Sequence, residues 1–117
     1  MFAERVIEWL KLLPETSISK RIISQLAASS TSLGANYCEA DCAESNKDFI
    51  HKMSIANKES KESKYFIRIL SKLFPDHAPE GRLLWKEAHE LNLIFTTIVK
   101  KAKATEEKKN IEKDLEN

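Results

Sequence analysis

The 117 residues suffice for one compact domain and not for two ordinary ones, which excludes most multi-domain enzyme architectures. Hydrophobic residues make up 42% and charged residues 32%, while only two Gly and three Pro leave few sharp turns, so a sheet protein is excluded in favour of helices. With 19 basic against 18 acidic side chains the formal charge is +1, so no global field draws the molecule to nucleic acid or an anionic membrane.

The first element is predicted over residues 2–13. Phe2, Val6, Leu10 and Leu13 recur at helical spacing with Trp9 beside them, and Pro14 stops the run. Met1 to Leu13 also carries Glu4, Arg5, Glu8 and Lys11, which suits neither a signal peptide nor a membrane span, and a cytoplasmic protein is expected. A second helix, 17–41, starts where the hydroxyl of Thr16 or Ser17 can cap free amides, with Ile18, Ile22, Leu26, Leu33, Tyr37 and Ala40 as its core stripe. The third, 45–74, opens on Ser45 with Asp48 three residues on, a variant capping box, and Pro75 and Pro79 close it. The fourth, 79–103, turns Leu84, Ala88, Leu91, Phe95, Ile98 and Ala102 to one side. Residues 105–117 offer only Ile111 and Leu115 among charges and are predicted to be a fraying helix or a disordered tail. Residues 1–104 thus read as an all-α, antiparallel up-down four-helix bundle.

The second helix is unusual. From Ile22 to Cys38 there are 17 consecutive uncharged residues, more than one core face requires. At 100° per residue, Ser24, Ala27, Ala28, Thr31, Ala35, Cys38 and Cys42 share a second, small and nearly neutral face. Small groups allow close approach and carry little desolvation cost, so this face is read as the contact with another copy of the chain. The competing reading is a central helix buried on both sides by its own chain. Trp85 and Leu93, off the main stripe of the fourth helix, favour self-association. Gly34 in mid-helix implies either a bend or close contact, or merely a tolerated glycine costing about 1 kcal/mol. Cys38 and Cys42, one helical turn apart, are expected to be free, packed thiols of a reducing compartment.

Charge is concentrated in the third helix. Residues 47–72 hold seven basic groups against three acids, 7 − 3 = +4. Lys47, His51, Lys58, Lys61, Arg68 and Lys72 fall within about 100° of arc, with Tyr65 among them. Lys100, Lys101 and Lys103 follow in the fourth helix. Such a stripe either holds phosphates and stacks a base or is a solvated face, and repetition in a ring would strengthen the first reading. Catalytic signals are weak: no phosphate loop or nucleophile elbow is visible, and His51, His77 and His89 are scattered. Glu39, Asp41 and Glu44 admit a metal-dependent nuclease, though ion pairs with Lys or Arg are the favoured reading. No cofactor, resident metal or small-molecule substrate is expected, and the chain is read as no enzyme.

At Gln25 and Ser29-Ser30-Thr31-Ser32-Leu33-Gly34-Ala35-Asn36-Tyr37-Cys38-Glu39-Ala40, the sequence resembles the four-helix-bundle proteins encoded within intervening sequences of bacterial 23S rRNA genes. Gln25 and the Asn36-x-x-Glu39 pair match that family's pattern, Lys47-Asp48-Phe49-Ile50 resembles its opening of helix three, and Ile55-Ala56, Lys58-Glu59, Glu62 and Tyr65-Phe66 fall where a subset of the family has similar residues. Similarity extends from about Phe2 to Lys103, although family members carry several more residues before the position of Phe2. The resemblance, which extends to the accessory variability determinant proteins of diversity-generating retroelements, implies a homopentamer whose basic surface contacts RNA or DNA. The expected nucleic-acid site is Lys47, Lys58, Lys61, Arg68 and Lys72. The alternative is a protein-interaction scaffold that binds no nucleic acid.

Overall fold

The computed structural model describes residues 1–116, in four α-helices: α1 (Phe2–Leu10), α2 (Ser19–Asp41), α3 (Asn46–Leu73) and α4 (Ala78–Glu116), with a 3-10 turn at Pro75–His77 before α4. α1 and α3 each pack against both α2 and α4, which lie diagonally across the bundle. Neighbours are antiparallel. Asn46 reaches Ala102 and Glu106 of α4, Asn57 reaches Thr96, and Lys64 reaches His89. Ser29 of α2 meets Ser63 of α3, while Glu39 meets Lys52. Arg5 of α1 pairs with Glu80 and Glu87 of α4.

Local chemistry explains where the helices begin. Thr16 Oγ1 accepts from the Ser19 amide at 3.0 Å and Ser19 Oγ accepts from the Thr16 amide at 2.9 Å, a reciprocal capping box with serine in the usual Glu position. The Ser19 hydroxyl also donates to the Pro14 carbonyl at 2.7 Å, so it is fully buried in the turn. That fixes the helical phase and corrects one expectation: Ser19 takes the inward position, and Ile18 is left 66% exposed. Ser45 Oγ accepts from the Asp48 amide at 3.1 Å, capping α3 at the expected residue.

The core is built from Val6 and Trp9 of α1, Leu26 and Leu33 of α2, Met53, Ala56, Ile67 and Leu70 of α3, and Leu84, Ala88 and Phe95 of α4. Each large aliphatic or aromatic group here contributes about 1.5–3 kcal/mol by leaving water. Trp9 is sealed in by donating its indole N–H to the His77 carbonyl at 3.1 Å. Gly81 is where α4 closes on its neighbours: a Cβ there would stand 2.1 Å from Ser71 Oγ and 2.9 Å from Trp9 Cζ2. At Gly34, by contrast, a Cβ would meet nothing within 4 Å, so no close contact within the chain calls for glycine.

Three further expectations are corrected. Tyr37 stacks on Phe95 at 5.9 Å but is 50% exposed, because α1 is too short to cover the α2–α4 groove at that level. An open apolar groove of about 370 Å3 remains there, with Leu91, Ile94 and Ile98 along its α4 wall. Cys38 and Cys42 are free, yet exposed rather than packed. Finally, α4 continues without a break to Glu116, where a fraying helix or a disordered tail was expected. This extension lacks Gly and Pro and is rich in Glu and Lys, both strong helix formers. Its start is held by Asn46 Nδ2, which donates to the Ala102 carbonyl and to Glu106 at 3.0 and 2.9 Å. No helix among the described residues is long and apolar enough to cross a membrane.

Candidate nucleic-acid interface

The seven basic groups of α3 divide cleanly. Lys52 is bound to Glu39 at 2.7 Å, and this hydrogen bond together with the carboxylate charge raises its ammonium above the ordinary lysine value. Lys64 turns toward α4, 3.1 Å from His89 Nδ1 and 3.3 Å from Asn92 Oδ1, with its ammonium 5.5 Å from the Trp85 ring centroid. Removing those two from seven leaves Lys47, Lys58, Lys61, Arg68 and Lys72, all exposed and none in an ion pair among the described residues. His51 and Tyr65 are exposed beside them. A row of free cations with an aromatic in it can bind phosphates and offer a ring to a base.

The structure adds Arg82 and Lys86, which the sequence reading missed, and sets Trp85, read there as a self-association residue, beside them. Between α3 and α4 lies a groove of about 670 Å3 lined by Arg68, Ser71, Gly81, Arg82, Trp85 and Lys86. Arg82 and Lys86 extend the positive edge onto α4, and Trp85 is partly buried and stacks on His89 at 5.1 Å with 13° between the rings. The 82/85/86 spacing was visible in the sequence, but nothing in one helix says that it faces Arg68 of another. Beneath the groove's C-terminal side of α4, Asn92 Nδ2 donates to Asn57 Oδ1 at 2.7 Å and Asn57 Nδ2 donates to Thr96 Oγ1 at 3.1 Å. No buried side-chain nitrogen or oxygen among the described residues lacks a partner.

On α2, Ser24, Ala28, Thr31, Ala35 and Cys38 of the small-residue face are exposed, and only Ala27 packs partly on the core. Its own chain therefore does not cover the second side of α2. Ser29 and Ser30 point inward, where Ser29 Oγ lies 3.0 Å from Ser63 Oγ, so a seam of serines lets α2 and α3 approach closely. Beside it an open groove of about 550 Å3 holds Gln25, Ala28, Glu59 and Glu62. Burial, then the neighbouring Glu62 charge, pushes the Glu59 carboxyl up, with Lys58 opposing. Asn36 donates to the Ser32 carbonyl of its own helix at 2.9 Å. The motif residues Gln25, Asn36 and Glu39 thus share a face of α2 but not one contact network. Glu39 is occupied by Lys52, and among the described residues no group of three or more His, Cys, Asp or Glu is disposed to hold a metal.

Residues 1–74 match the family model described as 23S rRNA-intervening sequence protein. The chain belongs to that family. A crystal structure of a protein of unknown function from the S23 ribosomal protein family of Bacteroides thetaiotaomicron VPI-5482 is similar to this family member at a TM-score of 0.75 and 31% identity. The similarity covers 85% of this chain and 92% of that one. No curated protein matches. The family match covers α1 to α3 and therefore the whole basic edge of α3, while Arg82, Trp85 and Lys86 of α4 lie beyond it.

Proposed function

We propose that this intervening sequence protein is a non-enzymatic homo-oligomer that binds RNA, or another nucleic acid, through the basic edge of α3. The observation that carries the reading is the sorting of charge on that helix: Lys52 and Lys64 are engaged within the chain, and the five remaining cations share exposed surface without partners. The exposed, neutral face of α2 supports a contact with a second copy, and the family resemblance makes a pentamer the favoured form. A ring would repeat the stripe around an axis and enlarge its field. We take the protein to act in the cytoplasm, where two exposed thiols stay reduced.

A second reading, a protein-interaction scaffold without nucleic-acid binding, draws on the exposed Tyr37, Leu93 and Ile94. Salt separates the two. Retention of RNA on a filter should fall steeply as salt rises, and the Lys61→Glu, Arg68→Glu double variant should weaken it across unrelated sequences at unchanged native mass. No retention at low salt by the intact assembly refutes nucleic-acid binding and leaves the scaffold. Ala35→Glu should split the assembly by setting a charge in the contact between copies. An unchanged mass by light scattering rules out that face.

A further inference from the structure

We infer that the groove between α3 and α4 is a binding site for an unpaired nucleotide of a single-stranded RNA segment, with the base on Trp85 and the backbone phosphates on Arg68, Arg82 and Lys86. This rests on the nucleic-acid reading above and goes beyond it by naming where the strand sits and which form of RNA is taken.

The composition of the groove is selective. Three of its six lining residues are cations, none is an acid, and none of the three cations forms an ion pair among the described residues. The acids nearest in sequence are directed elsewhere: Glu80 and Glu87 are both engaged by Arg5 on the α1 side of α4. Lys61, Tyr65, Arg68 and Lys72 stand at i, i+4, i+7 and i+11, one edge of α3, so Arg68 joins this groove to a track of about 16 Å at 1.5 Å rise per residue. A single small anion would not need such length, but a run of phosphates would.

Trp85 decides between paired and unpaired strands. A partly exposed indole among cations gains most from a flat π-system, and a duplex keeps its base faces stacked inside itself. The ring is also preorganised. His89 stacks on it at 5.1 Å, Lys64 stands 5.5 Å from its centroid, and Lys64 is itself fixed by Asn92 at 3.3 Å. Little side-chain entropy remains to be lost when a base docks. Gly81 and Ser71 complete the wall with minimal bulk, and the 2.1 Å approach that a Cβ at 81 would make to Ser71 Oγ shows how closely the two helices meet there.

The test is a titration of the intact full-length protein with a single-stranded oligouridylate of about 12 nucleotides and with a duplex of equal length. Trp9 is buried and bonded to His77, so stacking should quench emission from Trp85 alone, and Trp85→Phe should abolish the quench. Trp85→Leu should weaken single-strand binding about tenfold, and Arg82→Gln with Lys86→Gln should lower the salt slope by about 0.7 per cation removed. Binding that prefers the duplex, or that proceeds with no quench and no loss in Trp85→Leu, overturns this site and leaves the α3 edge standing as the interface. Absence of any binding to either RNA overturns both. Dissociation of the assembly in Arg82→Glu, Lys86→Glu would assign the groove to a contact between copies and equally overturn the proposal. Should Trp85→Leu fail to fold, the glutamine variants and the Trp85→Phe emission still decide it.

Discussion

The two flanks of α3 have opposite chemistry. Toward α2 the helix presents Glu59 and Glu62 to an open groove walled by Gln25 and Ala28, and the seam below it is closed by the serines 29 and 63. Toward α4 it presents Arg68 to a groove completed by Arg82, Trp85 and Lys86, and the seam is an amide network of Asn57, Asn92 and Thr96. A net charge of +1 therefore conceals uneven local charge, with Glu59 and Glu62 lining the groove on the α2 flank and Arg68, Arg82 and Lys86 lining the one on the α4 flank. What this teaches is that function classes are poorly excluded by whole-chain charge when a bundle can sort its charges by seam.

The sharpest way to break the comparison is at Gly81, which holds the α4 flank shut. Gly81→Val would drive a side chain into Ser71 and Trp9, and we expect a loss of about 3 kcal/mol in a urea titration, with the basic flank disordered before the acidic one. Retained stability would mean that α3 and α4 are not closely apposed there. A smaller effect is expected at Asn57→Ala, which leaves the Asn92 amide without its 2.7 Å acceptor and Thr96 without a donor; about 2 kcal/mol should be lost, and backbone amide exchange should quicken along the α4 flank alone.

The smallest expected effect lies on the acidic flank. Because burial and Glu62 raise the Glu59 carboxyl, the folded protein keeps that proton to a higher pH than the unfolded chain does. Between the two values the folded state binds more protons, so stability falls as pH rises through the region just above the ordinary value of 4.5. Glu59→Gln should flatten that part of the profile and raise the urea midpoint at pH 7 while leaving it nearly unchanged at pH 4. An equal shift at both pH values would point to packing rather than charge.

Much of this architecture was legible in local pattern. Ser45 and Asp48 mark the start of α3 because a cap needs only a hydroxyl and an amide within one turn. The stripe of Lys47, Lys58, Lys61, Arg68 and Lys72 was legible because helical spacing alone puts those residues on one side. Ile18 misled because a single buried hydrogen bond from Ser19 to Pro14 set the phase of the helix ahead of hydrophobicity. The sequence left residues 105–116 open between a fraying helix and a disordered tail because a weak apolar pattern says what a segment cannot bury, whereas helix propensity and the Asn46 contacts with Ala102 and Glu106 carry α4 onward.

By itself the amino-acid order determined the number of helices, the hydroxyl caps of α2 and α3, most of the apolar stripe of each helix and the neutral second face of α2, all of which depend on residues within a turn or two of one another. Only the tertiary structure decided which cations remain free, since Lys52 and Lys64 are withdrawn by Glu39 and His89 from other helices. It also decided that Arg82, Trp85 and Lys86 share a groove with Arg68, because that depends on how α4 packs against α3, where Gly81 leaves room for the close approach to Ser71 and Trp9.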